Sequence, residues 1–148
     1  MQILKLSDKY FNKTVKLIRN SDPSIHWSDK QILECFNTKN YLVIGMVDDN
    51  SLLSVSIFSY VLDTADLLYI CVDNTHRNNK IAFKVFENGI IGLENMFITQ
   101  IFLEVNINNH SAYKLYDNLG FKKISVRKNY YKISNSKFKD ALIMKYGI

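Results

Sequence analysis

The chain has 148 residues, 47% hydrophobic and 22% charged, the size and balance of one ordinary globular domain with its own core, and no Pro/Gly/Ser linker, repeat or low-complexity tract divides it. The net charge is +5, but heavy use of Lys, Asn and Ile with scarce Arg and Pro is the pattern of an A+T-rich coding bias, so a nucleic-acid partner is not expected. Lys and Asp interrupt the N-terminal MQILKLSDKYFNKTVKL too early for a signal peptide, and no stretch approaches the ~20 apolar residues of a membrane span, so a cytoplasmic protein without a membrane partner is expected.

In chain order, residues 2–6 read as a strand. Ser7 or Asp8 then caps a helix whose apolar positions are Tyr10/Phe11, Thr14/Val15 and Ile18. Asp22-Pro23-Ser24 is a break, and Ser28-Asp29-Lys30-Gln31 has capping-box spacing for a short second helix through Ile32 and Phe36. Residues 41–47 and 52–62 form a hairpin about the turn Asp48-Asp49-Asn50. Residues 67–72 are a continuous apolar run, expected to be a strand covered on both faces. After a polar turn, a helix is expected over about residues 80–96, then a buried strand at 101–105. Asn109 caps a helix with Ala112, Leu115, Tyr116 and Leu119 inward. Gly120 suits the left-handed position after its end, with Phe121 making the accompanying contact. Residues 122–128 and 139–146 are two further strands joined by a polar loop. The order β-α-α-β-β-β-α-β-α-β-β predicts a mixed sheet with helices on its faces.

Three positions carry candidate chemistry. The turn Arg77-Asn78-Asn79-Lys80-Ile81-Ala82 opens a helix, where unpaired backbone N–H groups and the positive dipole end favour phosphate. Arg77, Lys80 and Lys84 crowd this helix start with no acid before Glu87. Such charges oppose the dipole by roughly 0.3–1 kcal/mol each unless an anion sits there; the alternative is Lys scattered by composition. Glu104 is the one charge in the run IFLEV. It is either a desolvated carboxylate suited to a general base or a solvent-facing strand residue. Tyr116 lies on the inward stripe of its helix, as a functional phenol or a core tyrosine bonded to backbone. Cys35 and Cys71 read as buried small hydrophobes, and His26, His76 and His110 have no ligand spacing, so no metal site is expected.

Taken together, these positions resemble the GNAT acetyltransferase superfamily. Asn109, Ala112, Leu115, Tyr116, Gly120 and Phe121 match its Asn-x-x-Ala-x-x-Leu-Tyr-x-x-x-Gly-Phe pattern. Trp27-Ser28, Leu103-Glu104-Val105, Arg127-Lys128-Asn129-Tyr130-Tyr131 and Asp140-Ala141-Leu142-Ile143-Met144 are similar to bacterial ribosomal-protein-alanine N-acetyltransferases. The resemblance implies a single α/β (α+β) domain over residues 1–148. Its mixed, mostly antiparallel sheet would have about seven strands with four helices, splayed between the fourth and fifth strands. It implies acetyl-CoA as cosubstrate, with the pyrophosphate on Arg77, Asn78, Asn79, Lys80, Ile81 and Ala82. Ile70, Cys71, Val72 and Asn109 would hold the pantetheine arm. It implies Glu104 as general base, Tyr116 as general acid, Trp27, Tyr130 and Tyr131 around a peptide slot, and the N-terminus of a ribosomal protein as acceptor. Two departures stand out. Lys80 occupies a position where the family usually has Gly, and the stretch after Tyr131 lacks the acidic residues common in relatives. Two other readings are an acetyltransferase acting on a different amine and a non-catalytic CoA-binding or interaction module.

Overall fold

The computed structural model describes residues 1–23, 27–135 and 137–148, with the backbone alone for Tyr131 and Ile133. Ser24 of the expected break and His26 lie outside the described residues.

The elements follow the predicted order. β1 (Gln2–Lys5) leads through a short 3-10 turn (Asp8–Tyr10) into α1 (Phe11–Ser21) and α2 (Asp29–Asn37). β2 (Tyr41–Asp48), β3 (Ser51–Val61) and β4 (Thr64–Val72) form an antiparallel meander with β1 on its edge. α3 (Ile81–Glu94), β5 (Gln100–Asn106), α4 (His110–Leu119), β6 (Lys122–Ser134) and β7 (Lys137–Gly147) complete the chain. The seven strands lie in the order β1-β2-β3-β4-β5-β7-β6. Every neighbouring pair is antiparallel except β4–β5. Among the described residues no helix is long and apolar enough to cross a membrane.

The local signals act as their chemistry requires. The Ser28 hydroxyl accepts from the Gln31 N–H at 3.1 Å, and the Gln31 side chain accepts from the Ser28 N–H at 2.8 Å, a complete capping box. At the end of α4, Gly120 sits at φ 104, its N–H bonds to the Asp117 carbonyl, and the Phe121 N–H bonds to the Tyr116 carbonyl. That is the paired arrangement of a Schellman end, which favours glycine. Ser7 contributes no side-chain cap, and the chain enters α1 through the 3-10 turn instead.

The sheet separates two apolar layers. Leu42, Phe58, Ile81, Val85, Phe86, Ile101, Leu103 and Phe121 pack on the α3/α4 side. Leu17, Ile18, Ile32, Cys35, Val55 and Ile57 pack on the α1/α2 side. Each such large side chain contributes roughly 1.5–3 kcal/mol by leaving water. Phe86 packs against Phe121 at 5.5 Å and against Tyr146 at 5.4 Å, joining α3, the α4 terminus and β7 beneath the cleft described below.

Two strand expectations change. The run 67–72 is not covered on both faces: Leu68 is 39% exposed, because α1 and α2 cover one face only as far as β4. The stretch read as a polar loop between residues 128 and 139 is mostly strand, since β6 runs to Ser134 and β7 starts at Lys137. Exposed ladder positions tolerate polar side chains, so polarity alone did not mark a loop there.

Gly89 lies inside α3, where Ala would normally be favoured by ~1 kcal/mol. A Cβ there would stand 2.5 Å from Cε2 of Phe58, which is 0% exposed. Gly89→Ala is therefore predicted to destabilise the fold by about 1–3 kcal/mol through overpacking, measured by urea unfolding. A stabilised variant would show that the α3–sheet contact has slack.

Candidate functional site

β4 and β5 are paired only at Thr64–Gln100, Ala65–Ile101 and Asp66–Phe102, although both strands continue beyond. The cause lies in β4. Ile57 of β3 faces Tyr69 and Phe58 faces Leu67, so Leu68 is an extra residue, a bulge that bends the strand. Past it the two strands part around a cleft of about 1290 Å³. Ile70, Cys71 and Val72 line one wall, Glu104, Val105, Asn109 and Tyr116 the other, and Arg77, Asn78, Lys80, Ile81 and Ala82 one end. Asn79 is not in the lining; its amide donates to the His76 carbonyl at 3.3 Å.

At the α3 end of the cleft the helix start has no acid and no side-chain cap. Lys80 is the N-cap residue at φ 58, gives no side-chain acceptor to the helix, and no acid occupies the first turn. The free N–H groups and the dipole therefore face the cleft uncompensated. Asn78 is also left-handed, at φ 65. The approach is braced by side chains. Arg77 donates to the Ser21 carbonyl at 3.1 Å and to that of Val72 at 3.4 Å, and Asn74 donates to the Asn20 carbonyl at 3.2 Å. Asp73 is held below the usual carboxylate range, first by a hydrogen bond from Thr75 and then by one from His76. At the α4 end, Asn109 Oδ1 accepts from the Ala112 N–H at 3.2 Å and caps that helix.

The other chemistry converges where β5 meets the last hairpin. The Arg127 guanidinium donates to Glu104 at 2.7 Å and stacks over the Tyr130 ring at 4.7 Å. Tyr130 also hydrogen-bonds Glu104, and that bond, with the carboxylate's charge, holds the phenol above its usual range. Of its two readings, Glu104 takes the solvent-facing one: its side chain is 33% exposed and ion-paired, on a face whose α1/α2 layer reaches only as far as β4. Tyr116 is half-buried in the same cleft lining, edge-on to Phe121 at 6.1 Å. Trp27 is not in the cleft lining but packs at 5.9 Å against Tyr69, which is. The Tyr131 side chain lies outside the described residues, while its backbone is in the β6 ladder opposite Lys139.

Two residues here escape sequence reasoning. Tyr69 was one letter in an apolar run, and only the Leu68 bulge turns it toward the cleft. Burial, then the neighbouring Cys71 and Asp22, push its phenol well above the normal range. Burial likewise pushes the Cys71 thiol up to about 11. Asp66 lies across the ladder from Phe102, on the face that Glu104 also occupies. Burial first, and the Glu104 charge second, raise its carboxyl. A charge next to a strand start was its one sequence signal.

The family model described as "Acetyltransferase (GNAT) family" matches residues 6–121. The chain is 32% identical over 120 residues to the [ribosomal protein bS18]-alanine N-acetyltransferase of Haemophilus ducreyi, covering 81% of this chain and 82% of that one. It is 30% identical over 118 residues to the protein of the same name from Escherichia coli, covering 80% and 78%. The crystal structure of the ribosomal-protein-S18-alanine N-acetyltransferase from Escherichia coli superimposes with a TM-score of 0.86 at 26% identity, covering 99% of this chain and 93% of that one.

The raised Asp66 carboxyl has a stability consequence of definite sign. The folded state holds its proton at pH values where the unfolded chain, near 3.9, has lost it, so ionisation of Asp66 opposes folding as pH rises through that window. Asp66→Asn is predicted to raise the melting temperature at pH 7, with the gain vanishing below about pH 4. Equal melting curves at pH 7 would show that the carboxylate is fully compensated where it stands.

Proposed function

The chain belongs to the acetyltransferase (GNAT) family, and we propose on that footing that residues 1–148 form one domain that acetylates the N-terminal amine of a protein. The acceptor is an alanine N-terminus on a ribosomal protein, and the reaction takes place in the cytoplasm. The observation that carries this reading is the shared cleft: Glu104 and Tyr116 line the same space, and the uncapped start of α3 closes one end of it.

Acetyl-CoA, when bound, supplies an activated thioester carbonyl and a thiolate leaving group. The N–H groups around Asn78, Lys80, Ile81 and Ala82 hold the pyrophosphate, and the Lys80 ammonium adds a point charge beside it. Lys80 keeps the left-handed turn that Gly ordinarily supplies, so the departure from the family pattern leaves the cradle in place. Beyond Asp66 the edge of β4 has no β5 partner, which leaves the backbone of Ile70, Cys71 and Val72 to bond the pantetheine arm. Asn109 spends its Oδ1 on the α4 cap, so its amide N–H groups are the part that meets the arm. No metal takes part in this scheme.

A free α-amine has a pKa of about 7.7–8.0 and is largely protonated at neutral pH. Glu104 takes that proton, directly or through water, with Arg127 and Tyr130 fixing the carboxylate's orientation. The amine nitrogen then bonds to the carbonyl carbon, the C–S bond breaks, Tyr116 donates its phenolic proton to the departing sulfur, and the second proton of the acylated nitrogen leaves through water to restore the phenol. Trp27, packed against Tyr69, and Tyr130 border the slot that takes the N-terminal residue.

Glu104→Gln and Tyr116→Phe are each predicted to lower kcat by about 100-fold or more while leaving the acetyl-CoA KM within about twofold. Mass spectrometry of mixed N-terminal peptides incubated with acetyl-CoA measures both the rate and the preferred residue. Unchanged kcat in either variant removes that residue from the chemistry. Lys80→Gly is predicted to raise stability by about 1 kcal/mol by relieving φ 58 and to weaken acetyl-CoA binding a few-fold. Tighter binding would mean that the side chain crowds the phosphates.

A further inference from the structure

The positive charge is not spread through the molecule. Residues 122–148 carry eight Lys and Arg against one Asp, whereas residues 1–121 carry eleven against thirteen acids. The excess therefore belongs to the last hairpin, and the rest of the chain is slightly acidic. A coding bias acts along a whole gene and does not produce that division.

The register shows how these cations are displayed. Lys122 stands directly opposite Lys145, a like-charge cross-strand pair that is unfavourable by itself. Lys145 and Lys139 lie on the same face of β7 as Ile143, the partner of Glu104 across the β5 ladder, so they share the face of the acceptor slot. Lys123, opposite Met144, and Lys132, opposite Phe138, belong to the other face. Among the described residues, Arg127 is the one hairpin cation within salt-bridge distance of a carboxylate. Phe138 is 45% exposed between Lys137 and Lys139.

We propose that the β6–β7 hairpin is an RNA-docking surface that brings the acceptor slot to a ribosomal protein lying beside RNA. Lysines on both faces of a ribbon, with an exposed ring among them, match a flexible polyanion whose phosphates take point charges and whose bases stack. An acidic peptide leaving the slot would meet one face only. The choice of RNA over DNA rests on the ribosomal-protein acceptor proposed above; the charge argument does not.

The test is fluorescence anisotropy with a labelled mixed-sequence single-stranded RNA of about 16 nucleotides, titrated at about 50 to 200 mM KCl. The expected result is a log Kd that rises linearly with log salt, by about 0.7 for each phosphate neutralised. The triple variant Lys132→Glu, Lys137→Glu, Lys139→Glu is expected to bind at least about 10-fold more weakly at ~100 mM salt with a shallower slope, and to acetylate a short free peptide at the parent rate. The corresponding triple change to Gln keeps the side-chain length, removes the charge, and serves if the Glu variant fails to fold. RNA binding that is absent at the lowest salt, independent of salt, or unaltered in the folded variant overturns the proposal. So does equally tight binding of a poly-glutamate peptide of the same length, which would assign the hairpin to acidic protein segments. Failure of the parent protein to acetylate any N-terminal peptide, with its RNA binding present and salt-dependent, would instead count against the catalytic reading alone.

Discussion

The parting of β4 from β5 is the constraint on which everything else rests. Three residue pairs hold the strands together, and one extra residue, Leu68, ends the pairing. A strand edge in a protein interior normally finds hydrogen-bond partners, because unpaired backbone groups are costly away from water. Here α3 and α4 join one core with Phe86, Phe121 and Tyr146, and the edge lines the cleft instead. The bulge also reverses the alternation of β4, sending Tyr69 and Cys71 toward α1 and α2 while Ile70 stays with the α3 core.

Charge is arranged in two separate ways around that opening. At the α3 end the protein presents a helix start with its dipole uncompensated by any acid. Where β5 meets the last hairpin it gathers Asp66, Glu104, Arg127 and Tyr130, a cluster whose members restrain one another. The two regions are mechanically joined. Arg77 and Asn74 reach from the turn before α3 to the last carbonyls of α1, so the turn and the helix that precedes the Trp27 segment share their hydrogen bonds.

Much of this was legible because the signals are local. The Ser28–Gln31 box, the Asn109 cap and the Gly120 turn are each fixed by residues within a few positions of one another, and each formed as read. The order of elements followed from them. What was not legible depends on contacts between distant elements. The exposure of Glu104 depends on where α1 and α2 stop covering the sheet. The importance of Tyr69 depends on a bulge that no residue type announces. The strand character of residues 129–134 depends on β7, whose pairing supplies the ladder that their polar sequence does not suggest. The family likeness pointed to Glu104 and Tyr116 and set Arg127 and Tyr130 in a shared motif, but it did not show that those two hold the Glu104 carboxylate.

β6 is the outermost strand of the sheet, and its backbone there has a row of groups with no neighbouring strand. Such a border invites another chain to add itself and grow an aggregate. Lys122, Lys123, Lys128 and Lys132 on that border are all exposed, and a second copy brought alongside would carry the same charges into the same places. Like charges along such a rim oppose edge-to-edge pairing of copies, so removing the lysines wholesale would trade solubility for stickiness.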